Sequence, residues 1–193
     1  MITLAQRFTL ADYLTHSDGT DTPYELVQGE LIPMALGTGW HGSIIKFLEH
    51  EFEAAIDLAK LPWAVLPGLV GLQSPRGNRW DTCRIPDVVV LPQEQWNTLK
   101  RKEAVITLEQ EPPLLVVEVV SESTKTTDYR YKQVEYSYLG VSEYWIVDPL
   151  EERVSVLELV EGLYELEGFQ GEEVIRSRNF PALQLTPAQI FAA

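Results

Sequence analysis

Residues 113–124 read Pro-Leu-Leu-Val-Val-Glu-Val-Val-Ser-Glu-Ser-Thr, an apolar run with Glu118 near its centre and hydroxyl groups at its end. The run is short, rich in Val and Leu, and flanked by turn-forming residues, which predicts a strand buried on both faces. Because an unpartnered buried carboxylate is strongly unfavourable, the rest of the chain must supply a partner for Glu118. A metal ion or a lysine side chain would serve.

The composition is that of one globular domain over residues 1–193, large enough to bury a core without disulfides. Cys83 is the single cysteine and no Cys/His cluster has zinc-site spacing, which indicates a reducing compartment. The first residues lack the basic start and apolar stretch of a signal peptide, and no run is long enough to cross a bilayer. We therefore expect a cytoplasmic protein without a membrane segment.

The net charge is −14, from 29 acidic and 15 basic residues, which argues against a protein that coats nucleic acid by charge alone. A local basic groove is compatible with this total. Nine of the 15 basic residues fall in three clusters, each either part of such a groove or a solvated surface patch: Arg76, Arg79 and Arg84; Lys100, Arg101 and Lys102; Lys125, Arg130 and Lys132.

The apolar periodicity and turn signals predict an α/β domain with a mixed central sheet flanked by helices. A hairpin turns at Gln28-Gly29, an amphipathic helix runs from Trp40 to Lys60, and a Val-rich strand covers 84–91. A second helix begins near Asp128 and ends at Gly140. The remaining predicted elements are a helix capped by Thr9, strands at 63–66, 69–72, 143–148, 153–159, 163–166 and 173–175, an exposed turn at 74–79, a helical or irregular segment at 93–112, and a helix at 187–191.

A second carboxylate, Asp87, stands at the start of a Val-rich strand just as Glu118 stands within one. If the two strands are neighbours, the carboxylates converge, and like charges in a dry site raise each other's pKa unless a cation intervenes. Oxygen ligands suit Mg²⁺ or Mn²⁺. Such an ion polarises a phosphate and lowers the pKa of a bound water.

A cation to orient that water comes from the helix that follows. Asp128, Lys132 and Tyr136 fall at i, i+4 and i+8, on one helix face, so Lys132 can approach Glu118. Lys125, in the loop before this helix, is the competing candidate.

Each of these residues also has a structural interpretation. Asp87 after a proline is typical of a turn or cap, and Glu118 could pair with an arginine. Asp128 and Lys132 could form a surface salt bridge. His41, at the start of the long helix, is either exposed, hydrogen-bonded, or able to reach the site. Two charged strand positions and a nearby lysine in one region favour a functional site.

The motifs together resemble the Uma-two family, whose members are described as restriction endonucleases. The residues that carry the resemblance cover nearly the whole chain: Tyr24-Glu-Leu-Val-x-Gly-Glu-Leu31, His41, Arg84-Ile-Pro-Asp-Val-Val-Val90, the 113–124 stretch, Asp128, Lys132, Tyr136, and Gly140-Val-Ser-Glu-Tyr-Trp-Ile-Val-Asp-Pro149.

That resemblance implies the PD-(D/E)XK nuclease superfamily and its restriction-endonuclease-like fold, a mixed sheet between helices. It implies that Asp87 and Glu118 are the metal ligands. Val120 stands where the superfamily has its lysine, and the resemblance implies that Lys132 takes over that role. Glu122, where the family often has proline, adds negative charge beside the site.

Three functions fit these observations. The first is a Mg²⁺-dependent endonuclease that hydrolyses phosphodiester bonds of DNA, with Asp87, Glu118 and Lys132 as catalytic residues and His41, Lys125, Asp128 and Tyr136 as accessory candidates. By resemblance to nucleases that cut both strands, it would be a homodimer. The second is a nuclease-fold binding or regulatory module with little activity, which the acidic charge and the displaced lysine favour. The third is a metal-dependent hydrolase of small phosphorylated molecules.

Overall fold

We describe the protein from a computed structural model, in which residues 6–20, 22–76 and 80–193 are placed. Two mixed sheets are flanked by helices, which confirms the predicted α/β class. The helices are α1 (Leu10–Leu14), α2 (Gly39–Ala59), α3 (Gln93–Leu99), α4 (Lys132–Leu139) and α5 (Pro187–Phe191). Within these residues, none of the helices has the length and apolar character needed to cross a membrane.

The strands form a five-stranded and a six-stranded sheet rather than the single central sheet predicted. They are β1 (Tyr24–Val27), β2 (Glu30–Pro33), β3 (Trp63–Pro67), β4 (Gly71–Arg76), β5 (Trp80–Arg84), β6 (Val88–Pro92), β7 (Val105–Ile106), β8 (Leu115–Val119), β9 (Glu143–Asp148), β10 (Arg153–Val160) and β11 (Leu163–Gln170). The first sheet has the order β2-β1-β5-β4-β7 and the second β11-β10-β9-β8-β6-β3.

The predicted N-terminal hairpin is confirmed. Strands β1 and β2 pair antiparallel with Val27 opposite Glu30. The two residues between them, Gln28 and Gly29, have φ values of 51° and 76°. Positive φ at both central positions is the requirement of a type I′ turn, whose twist matches that of the strands it joins.

Strand β8 lies inside the second sheet, as its sequence predicts. All five of its residues are buried, and it pairs parallel with β9 and antiparallel with β6. On one face, Val117 and Val119 pack with the apolar stripe of α2; on the other, Val116 packs with Tyr136 of α4. The stripe of α2 comprises Ile44, Leu48, Phe52 and Ile56. Helices on both faces explain why the strand is continuously apolar.

Three local predictions are wrong. The predicted exposed turn at 74–79 is partly strand, because β4 continues to Arg76 in antiparallel pairing with β5; its last three residues, 77–79, lie outside the described part of the chain. The predicted strand over 84–91 is divided, since Arg84 ends β5 in one sheet and Val88 begins β6 in the other. Residues 173–175 form no strand.

The helix predicted to run from Asp128 to Leu139 is confirmed in position but has an unexpected first turn. Residues Thr127–Tyr131 form a π-helical turn that continues directly into α4. Such turns are uncommon and concentrate at functional sites. Gly140 ends α4 with φ 86°, in the left-handed region.

Replacing Gly140 with Ala should destabilise the protein by about 1 kcal/mol, because a Cβ is unfavourable in the left-handed conformation. Gly42→Ala is the matched control: Gly42 lies within α2 at an ordinary φ, with nothing within 4 Å of the added Cβ. Alanine there should stabilise by up to about 1 kcal/mol. Urea unfolding of the two variants measures both effects. Changes of the same sign in their free energies of unfolding would contradict the explanation from backbone conformation.

Candidate active site

The two predicted metal-binding carboxylates belong to neighbouring segments of the second sheet. Asp87 directly precedes β6, whose first residue, Val88, lies opposite Val117 of β8, and Glu118 is the next residue of β8. The charge of Asp87 acts on Glu118 and contributes to raising its pKa. The Asp87 carboxylate also accepts a hydrogen bond from the Val119 N–H, with Oδ2 2.7 Å from the nitrogen. The condition set by the sequence hypothesis, that the strands be neighbours, is met.

Glu118 has two partners, and both come from α4. Its Oε2 lies 2.7 Å from Lys132 Nζ, and its Oε1 accepts a hydrogen bond from the Tyr136 hydroxyl at 2.5 Å. The glutamate is only 3% exposed. The cation that compensates this buried charge is therefore a lysine of the following helix and not an arginine.

Lys132 is shared between two acids. Its Nζ also lies 2.9 Å from Asp128 Oδ1, across the i, i+4 spacing that the sequence indicated. Asp128 is 1% exposed and Lys132 5%, so the alternative of a surface salt bridge is wrong. The second oxygen of Asp128, Oδ2, is buried and has no hydrogen-bond partner among the described residues.

His41 reaches the site from the first turn of α2. The Thr38 hydroxyl caps this helix by accepting a hydrogen bond from the His41 N–H, which fixes the backbone at that point. The His41 ring lies with Nε2 3.1 Å from Asp87 Oδ1. This hydrogen bond raises the pKa of His41, against the opposing effect of burial. His41 is thus the hydrogen-bonded alternative of the sequence analysis, with Asp87 as its partner.

Lys125, the competing lysine, lies elsewhere. Its Nζ is 2.5 Å from Glu151 Oε1 and 3.4 Å from Asp148 Oδ2, and its side chain is 39% exposed. The structure brings Lys132, and not Lys125, into contact with Glu118. The catalytic role of Lys132 stays a prediction.

The site holds more acidic side chains than basic ones. Burial raises the pKa of Glu118 to about 8; Lys132 opposes this shift, whereas the charges of Asp128 and Asp87 add to it. Burial by itself would lower the pKa of Lys132, but attraction to Glu118 and Asp128 raises it above its ordinary value. The ammonium is therefore retained, and it is surrounded by acids that it cannot fully neutralise.

A divalent cation fits this donor set. The described residues contain no group of three or more His, Cys, Asp and Glu side chains arranged to hold a metal. Mg²⁺ does not need such a cage, since it is usually held by one or two carboxylates with waters and substrate phosphates. Asp87 and Glu118 supply two carboxylates, and Oδ2 of Asp128 is a further carboxylate oxygen without a hydrogen-bond partner among the described residues. The fit is one of charge and ligand chemistry.

A buried ion-pair network next to this site was missed by the sequence analysis. Arg84, 4% exposed, donates to Glu135 from Nε at 2.8 Å and from Nη2 at 3.1 Å. Its Nη1 donates to Glu25 at 3.0 Å. One signal was available, because Glu135 follows Lys132 by three residues and so shares its helix face. The partner Glu25 is 59 residues from Arg84, and no local pattern links them.

Comparison with known proteins identifies the family. A family described as "Putative restriction endonuclease", Uma2, matches residues 10–188. The chain belongs to the Uma2 family. This confirms the resemblance carried by the sequence motifs. No curated protein is significantly similar to this Uma2 chain.

A solved structure supports the fold of this Uma2 protein. A crystal structure from Anabaena variabilis, described as that of "a putative nuclease", superposes with a TM-score of 0.75 over 96% of this chain and 98% of the other. The two sequences are 18% identical, so the likeness is one of fold. Family and fold together are those of a restriction-endonuclease-like nuclease.

Removing the shared lysine should destabilise the protein strongly. Lys132→Met leaves Glu118 and Asp128 buried without their cation, which we expect to cost about 3–5 kcal/mol. Lys125→Met is the matched control and should have a much smaller effect, since its pair with Glu151 is solvent-exposed and the buried Asp148 carboxylate keeps its hydrogen bonds from Tyr129 and the Leu150 and Glu151 N–H groups. Denaturant unfolding at pH 9, where Glu118 is ionised, measures both. Equal losses in the two variants would contradict the assignment of Lys132 as the buried counter-ion.

The stability of the protein should depend on the ionisation of Glu118. Its pKa is raised from 4.5 to about 8 in the folded state, so between these values the folded protein binds more protons than the unfolded chain. The free energy of unfolding should then fall as pH rises through this window, by at most about 1.4 kcal/mol per pH unit. Urea unfolding from pH 5 to 8.5, compared with Glu118→Gln, isolates the effect. If the free energy of unfolding changed with pH in the same way in the wild-type protein and in Glu118→Gln, the assignment of this pH dependence to Glu118 would be wrong.

Proposed function

We propose that this Uma2 protein is a Mg²⁺- or Mn²⁺-dependent endonuclease that hydrolyses phosphodiester bonds of DNA. The observation that carries the proposal is the buried contact between Lys132 and Glu118, at 2.7 Å, on strand β8, whose neighbour β6 begins directly after Asp87. Two carboxylates and a retained ammonium in one cluster are the groups that metal-assisted phosphodiester hydrolysis requires.

In this proposal Asp87 and Glu118 hold the ion, which when bound would polarise the phosphate and lower the pKa of a water. Lys132 would orient the attacking water and offset negative charge that develops on the phosphate. Asp128 provides a second partner for the ammonium and so retains it in the site when Glu118 serves as a metal ligand. His41 holds the Asp87 carboxylate through Oδ1, and Tyr136 holds Glu118 through Oε1.

The substrate in this proposal is DNA, and the active form is a homodimer, since cutting both strands of a duplex takes two sites. The net charge of −14 opposes binding by long-range attraction. Binding would therefore depend on the divalent ion and on short-range contacts to the backbone. Light scattering of the purified protein gives the oligomeric state directly.

The decisive experiment is cleavage of plasmid and oligonucleotide DNA by the purified protein with Mg²⁺ or Mn²⁺. Asp87→Asn, Glu118→Gln and Lys132→Arg keep the approximate size of each side chain, and we expect each to reduce cleavage by at least a hundredfold because it removes a ligand or displaces the ammonium. Lys125→Arg is the matched lysine control and should retain cleavage.

Two results would overturn the proposal in different ways. Absence of divalent-ion binding to the wild-type protein in calorimetry would exclude both the nuclease and a metal-dependent hydrolase of small phosphorylated molecules. Metal binding without cleavage of any DNA would favour the inactive binding module. Cleavage that survives Lys132→Arg and is lost in Lys125→Arg would support the nuclease activity but assign the catalytic role to Lys125 instead of Lys132.

A further inference from the structure

The guanidinium of Arg84 connects two strands of the first sheet with helix α4. Arg84 ends β5 in the first sheet, Glu25 lies in β1 of the same sheet, and Glu135 lies in α4, over the second sheet. All four polar contacts between these residues and the adjoining backbone are between 2.8 and 3.1 Å.

The contact with Glu135 acts on the helix that carries the lysine. Two parallel N–H···O bonds join Arg84 to the two oxygens of Glu135, a geometry that fixes orientation as well as distance. Glu135 lies between Lys132 and Tyr136 on the buried face of α4. Both of those neighbours contact Glu118, so a rotation of α4 that broke the arginine contact would also move them.

The contact with Glu25 acts on the segment that carries the aspartate. Glu25 accepts from Arg84 through Oε2 and from the Ile85 N–H through Oε1, the latter at 3.0 Å. Ile85 is followed by Pro86 and then Asp87. Since the ring of Pro86 restricts the backbone on both sides, fixing Ile85 limits the positions open to Asp87.

We propose that Arg84 is a positioning residue that locks the Asp87 segment and helix α4 to each other through Glu25 and Glu135. Its catalytic consequence rests on the proposed nuclease function; its structural consequence does not. The lock keeps Lys132 and Tyr136 on Glu118 while the Asp87 carboxylate keeps its hydrogen bond with the Val119 N–H of the same strand. Arg84 itself need not touch the metal or the substrate.

The structural arm of the test is hydrogen–deuterium exchange of the protein without metal or DNA. Arg84→Lys keeps the positive charge but replaces the planar fork with a single ammonium that cannot serve both acids in the same way. We expect amide exchange over residues 127–139 to accelerate at least fivefold, while strand Glu143–Asp148 changes by less than twofold. Arg178→Lys, at an exposed arginine paired with Glu158, is the matched control and should leave both segments unchanged.

A second, more conservative variant distinguishes loss of the contact between Arg84 and Glu135 from loss of the fold. Glu135→Gln keeps the size of the side chain and leaves the contact between Arg84 and Glu25 in place. It should therefore also accelerate amide exchange of residues 127–139, by a smaller factor than Arg84→Lys. Unchanged exchange of 127–139 in both folded variants would overturn the lock, whatever their activity. Uniform acceleration across the whole protein would show general destabilisation and would overturn it as well.

The catalytic arm separates positioning from substrate binding. With Mg²⁺ and DNA, Arg84→Lys should lower kcat at least tenfold with KM within threefold of wild type, and Arg178→Lys should change neither. Faster amide exchange of residues 127–139 in Arg84→Lys, with an unchanged kcat, would overturn the positioning role. If the wild-type protein cuts no DNA, the nuclease proposal fails, and the exchange result alone decides whether the lock exists.

Discussion

The burial of one carboxylate governs the arrangement of the site and much of its surroundings. Glu118 lies inside a sheet with helices on both faces and is 3% exposed, where an uncompensated charge would be strongly unfavourable. Helix α4 supplies the two partners of this carboxylate, the ammonium of Lys132 and the hydroxyl of Tyr136. The helix is therefore held in its rotation by polar contacts as well as by apolar packing.

The same cluster shows the features by which a functional site differs from a stable core. Burial and neighbouring acids raise the pKa of Glu118 to about 8, and an oxygen of Asp128 has no hydrogen-bond partner within the described residues. A protein built for stability alone would remove such groups. These groups, in a chain of the Uma2 family, are the basis of the proposal that the site binds a cation.

The network around Arg84 extends this polar interior to the boundary between the two sheets. Glu25, Arg84 and Glu135 form a chain of charge-assisted hydrogen bonds from the N-terminal hairpin to α4. Apolar packing is tolerant of small sliding motions, whereas a bidentate arginine pair is not. The division of the strands into two sheets places Arg84 where it contacts both strand β1 and helix α4.

The sequence by itself determined the local features: strand β8 and its buried glutamate, the turn at Gln28, the limits of α2, and a helix face shared by Asp128, Lys132 and Tyr136, because each follows from periodicity or turn chemistry over a few residues. Only the tertiary structure decided that β6 lies beside β8, that Lys132 rather than Lys125 meets Glu118, and that Arg84 joins Glu25 to Glu135. These contacts join segments far apart in the chain, and their formation depends on the packing of the whole sheet rather than on any local preference.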